Sequence, residues 1–87
     1  MKTQITIALE GESVSVTLVS ETSNQPLGTC MAYFKEPKSK RCYRLNMLLP
    51  HTNEELNIVI RHALFSSQAI QIHGDEFKRV VRDGMDA

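Results

Sequence analysis

Tryptophan is absent from this chain, and cysteine, proline and glycine are scarce, at two, three and four residues of 87. Each shortage excludes something. Two cysteines cannot build the disulfide framework of a small secreted domain. Cys30 and Cys42 are also too far apart in sequence to supply two metal ligands from one local turn. His51, His62 and His73 stand eleven residues apart, so the histidines offer no such pair either. The few glycines form no phosphate-cradling loop and no nucleophile elbow. No apolar run approaches the roughly 18 residues that a membrane helix needs. Net charge is missing too. Ten basic residues balance ten acidic ones, without the basic excess from which dedicated duplex-DNA binders draw affinity.

What is present suits one folded domain, residues 1–87, read as cytoplasmic with reduced thiols. The opening "MKTQITIALEGE" alternates apolar with polar residues and reads as a strand, not a secretory leader. Ile5, Ile7 and Leu9, then Val14, Val16 and Leu18, repeat with period two on either side of Gly11, which predicts an antiparallel hairpin. "ETSNQPLG" reads as a loop. "TCMAYFK" and "RCYRLNMLL" predict a second hairpin, with Tyr43, Leu45, Met47 and Leu49 on one side of its return strand. A four-residue loop at Glu36 to Ser39 would set Cys42 against Tyr33 and Cys30 against Leu45, leaving both thiols unpaired.

The main helix follows. Thr52 and Glu55 form a capping-box pair, and Leu56, Val59, Ile60, Ala63 and Leu64 recur as one buried stripe that Ser66 and Ser67 end. "AIQIHG" predicts a fifth strand or an extended connector. Asp75 reads as the N-cap of a short C-terminal helix carrying Phe77, Val80 and Val81 on one face, with Gly84 as its stop. Strands first and helices last predict an α+β fold: an antiparallel sheet of four to five strands, built from two consecutive hairpins and packed on one face by the main helix.

Two features stand out as functional candidates. Between residues 35 and 44 lie Lys35, Lys38, Lys40, Arg41 and Arg44 against Glu36 alone, a basic hairpin in an otherwise neutral chain. Tyr33, Phe34 and Tyr43 are close in sequence and could stack on unpaired bases. The plain alternative is a solvated turn with core aromatics. The second feature is on the main helix, where Ile58 and Phe65 fall nearly opposite the core stripe, flanked by Glu54, Arg61 and His62. Either the C-terminal segment covers them or another protein does. "HGDE" at 73–76 gathers titratable groups, but capping and the helix dipole account for its carboxylates.

These residues predict a small non-catalytic protein-interaction domain acting through a homo-oligomer or partner-protein interface. The candidate residues are Ile58, Phe65, Arg61 and His62, and a homodimer is the expected form. The alternative is a nucleic-acid-binding protein using the basic hairpin. No cofactor, metal, membrane or small-molecule substrate is inferred.

Overall fold

The computed structural model describes residues 2–20 and 28–86. Among these residues the chain forms five strands and two helices: β1 Lys2–Leu9, β2 Glu12–Val19, β3 Thr29–Lys35, β4 Cys42–Leu48, α1 Asn53–Phe65, β5 Ile70–Ile72 and α2 Gly74–Asp86. The strands lie in the order β1-β2-β3-β4-β5, with every neighbouring pair antiparallel. The loop expected over 21–28 falls, apart from Gly28, outside the described residues.

The first hairpin closes tightly. Leu9 pairs with Glu12, so only Glu10 and Gly11 form the loop, at φ 53° and 80°. Positive φ at both central residues is the primed turn whose twist matches the flanking strands. Gly11 adopts it freely, whereas Glu10 holds a left-handed conformation that costs a side-chain-bearing residue energy. The Glu10 carboxylate reaches the second hairpin, where Oε1 accepts the Lys38 N–H at 3.3 Å.

The second hairpin departs from the expected register. Lys35 pairs with Cys42 and Cys30 with Met47, two positions from the predicted alignment. Glu36 N donates to Arg41 O and Lys40 N to Glu36 O, both at 2.9 Å, so the four-residue loop begins at Pro37 rather than Glu36. Proline explains the shift. It cannot donate to a ladder, so it takes the first loop position and leaves Glu36 to pair. Lys40 closes the loop at φ 63°. In this register Cys30 and Cys42 point to opposite faces of the sheet, and both are free thiols. Burial pushes the Cys30 thiol above its ordinary range, because a thiolate in the dry core loses its hydration.

The ladders sort the side chains into two faces. Ile7, Leu9, Val14, Val16, Leu18, Ala32, Phe34 and Leu45 share one face, and Leu56, Ile60 and Ala63 of α1 close over it as the core. Thr52 caps α1, its hydroxyl accepting the Glu55 N–H at 3.0 Å, and Ser66 ends it. The Asn57 amide donates to Ala8 O, tying the helix to edge strand β1.

The other face carries Ser13, Ser15, Thr17, Tyr33, Lys35 and Arg44, and α2 lies over part of it. Arg44 reaches Glu76 of α2 at 3.6 Å. Two expectations for this helix need correction. It begins at Gly74, with His73 O accepting the Phe77 N–H at 3.1 Å, so Asp75 sits in the first turn and is not the cap. It also runs through Gly84 to Asp86. A glycine inside a helix costs only about 1 kcal/mol and need not end it.

Candidate functional site

Helix α1 presents two stripes of different character. Leu56 and Ile60 are completely buried, while Ile58 is 53% exposed and Phe65 91% exposed. Ile58 and Phe65 are seven residues apart, about 20° around the helix from each other, so they form one outward stripe. Arg61 and His62, also exposed, lie beside them. All four residues singled out in the sequence therefore stand together on the outer side of α1.

Helix α2 does not cover this stripe. Its Phe77 and Val81 line a cleft with Ser13, Ser15 and Thr17, on the sheet face opposite to the core that α1 seals. The C-terminal segment thus packs Phe77 and Val81, both half-buried, on the opposite face, and no described element covers Phe65.

The stripe borders an open groove of about 440 Å³ between α1 and β4. Leu45 and Met47 form its inner side, Val59 and Ala63 its helical wall, and Ile58, His62 and Leu48 its rim. Leu48, at 72% exposed, is a residue that sequence reasoning missed. The signal was there, since Leu48 falls on the Cys42, Arg44, Asn46 phase of β4, where an apolar residue has no core to enter. Leu49 was expected on the inner side with Leu45 and Met47. It lies just past the strand end, where its N–H donates to Gly28 O at 2.8 Å and its side chain is exposed.

The basic hairpin divides. Lys35, Lys38, Lys40 and Arg41 are exposed at or beside the loop. Arg44 does not join them, because its side chain is partly buried on the α2 face and pairs with Glu76. The aromatics are unavailable as a stacking platform. Phe34 is completely buried and lies against Tyr43 with ring centroids 5.7 Å apart, while Tyr33 points to the opposite face and is partly buried. The loop also satisfies its own polar groups. Ser39 donates its hydroxyl to Glu36 Oε1 at 2.5 Å, and Arg41 N donates to Ser39 Oγ at 3.2 Å.

Titratable chemistry is sparse elsewhere. Among the described residues no three His, Cys, Asp or Glu side chains converge as a metal site, and no helix is long and apolar enough to cross a membrane. His73, Asp75 and Glu76 do occupy a strand-to-helix junction. There His73 O accepts a helix N–H and Glu76 pairs with Arg44. No family model matches the chain, and no curated protein or solved structure matches it either.

Proposed function

We propose that this chain is a small, non-catalytic protein-interaction domain of the cytoplasm that works through the outer stripe of α1, as a homo-oligomer or with a partner protein. The observation that carries this reading is Phe65, 91% exposed on the same stripe as Ile58, which itself rims an apolar groove. Burying a side chain of this kind is worth about 1.5–3 kcal/mol, and the fold leaves that energy unused. A large ring on the surface is unremarkable alone. Exposed apolar residues grouped around a groove mark interaction surfaces. Arg61 and His62 supply the polar flank that gives such a surface orientation.

The test uses the folded chain and its Phe65→Asp variant, each immobilised and exposed to purified chain and to cell lysate at two salt concentrations. The reading expects specific retention by the native chain, largely insensitive to salt, and its loss in the variant. Equal retention by both would remove the α1 stripe from the account. Retention that falls steeply with salt and needs Lys38, Lys40 and Arg41 would move function to the basic loop, where four exposed cations favour an anionic partner such as nucleic acid.

A further inference from the structure

The charges flanking the stripe select a particular partner. Reading along the outer side of α1, Glu54 and Glu55 precede Ile58 by four and three residues, and Arg61 and His62 follow it by three and four. The sequence around Ile58 is therefore antisymmetric in polar character: two carboxylates before it, a guanidinium and an imidazole after it, at matching distances. Two antiparallel copies of such a helix, related by a two-fold axis through Ile58, complement each other fully. Glu54 and Arg61 lie on one flank of Ile58 and Glu55 and His62 on the other, so Glu54 falls beside Arg61 of the second copy, Glu55 beside its His62, and the same pairs repeat across the axis. Phe65, seven residues beyond Ile58, falls opposite position 51 of the second copy, which follows the exposed Leu48 and Leu49.

Resting on the interaction reading above, we propose that the occupant of this surface is a second copy of the chain, docked as an antiparallel α1–α1 dimer with Ile58 on the two-fold axis. A two-fold interface must be self-complementary, and this stripe meets that condition in its flanking polar groups and, at Ile58, in an apolar residue that meets its own copy. A parallel arrangement would set Glu54 against Glu54 and Arg61 against Arg61. Antiparallel pairing centred between Ile58 and Phe65 would bring Arg61 against His62 and leave Glu54 without a basic partner. The register centred on Ile58 avoids both.

Cysteine trapping reads the register directly. Packed helices lie about 8–10 Å apart. A residue on the axis therefore meets its own copy within disulfide reach, whereas residues at position 65 stand about 20 Å from each other along the helices. Under mild oxidation Ile58→Cys should give a covalent dimer. Phe65→Cys and the native chain, whose Cys30 and Cys42 are buried, should not. A charge exchange gives an independent readout. One variant carries Glu54→Lys and Glu55→Lys, the other Arg61→Glu and His62→Glu. Each alone should associate at least tenfold more weakly than the native chain, and their mixture should form the heterodimer. Trapping only in a mixture of Ile58→Cys with Phe65→Cys would overturn the register. A native chain that stays monomeric at several hundred micromolar would overturn the second copy as occupant. In that case the interaction reading falls separately, and only if Phe65→Asp retains the same lysate partners as the native chain.

Discussion

Ile58 and Ile60 are the same residue type, two positions apart on one helix, and the structure treats them oppositely. Ile60 is completely buried among Leu56, Ala63 and the sheet, while Ile58 is more than half exposed beside Phe65. The helical period alone decides this. Leu56, Ile60 and Ala63 share the inward direction, and two residues of rotation carry Ile58 away from it. The fold needs the first isoleucine and gains little from the second. That difference separates the residues that hold the domain together from those free to do something else.

The comparison sharpens most at the buried member. Ile60→Ala should destabilise the chain by about 2–5 kcal/mol, since it opens a cavity in a core that cannot fully collapse. Urea unfolding at concentrations where the chain is monomeric would measure it. A change below about 1 kcal/mol would mean that α1 does not seal the sheet as described. Next is the cap that starts the helix and so sets the rotation of both stripes. Thr52→Ala removes the acceptor for Glu55 N–H and should cost about 1 kcal/mol, a drop of about 4–8 °C in melting temperature for a domain this size. An unchanged melting temperature would show that the cap is dispensable.

The two surface predictions are smaller. Reversing Lys38, Lys40 and Arg41 to Glu together should shift stability by under about 0.5 kcal/mol per site, because these side chains are exposed and the loop is held by backbone bonds and by Ser39 with Glu36. Lys40 carries the most risk, since its φ is positive. A large loss would mean that the loop charges have partners in the fold. Ile58→Ala should move the monomer's stability least, within about 0.5 kcal/mol, while weakening assembly. Destabilisation comparable to Ile60→Ala would erase the distinction between the stripes.

Much of this was legible in the sequence, for identifiable reasons. Alternation over Ile5 to Leu18 gave the first hairpin, and the stripe from Leu56 to Leu64 gave α1, because each pattern spans several periods and tolerates no competing reading. The register of the second hairpin was not legible. Residues 29–35 include apolar side chains on both faces, so only the turn could fix the alignment, and that depended on whether Glu36 or Pro37 entered the loop first. The start of α2 was ambiguous because Gly74, Asp75 and Glu76 all suit a first turn. Ile58 and Phe65 could be seen as surplus, but not as uncovered. That depended on which face of the sheet α2 chose, and three apolar residues on a short helix do not specify a face. Grouping Arg44 with the basic loop failed for a related reason: sequence proximity hid its inward position beneath α2.

The central claim is that the outer stripe of α1 is an interface between two copies of the chain and not a tolerated blemish. The most direct measurement is molar mass by light scattering across a concentration series, for the native chain and Phe65→Asp, alongside the melting temperature of each as a monomer. The account predicts a native mass that rises from 9.8 kDa toward twice that value. Phe65→Asp should stay at the monomer mass with its fold intact, because a carboxylate buried in an apolar contact costs several kcal/mol while one left in water costs almost nothing. A native chain that remains a monomer throughout, or a variant that assembles as well as the native chain, would contradict it.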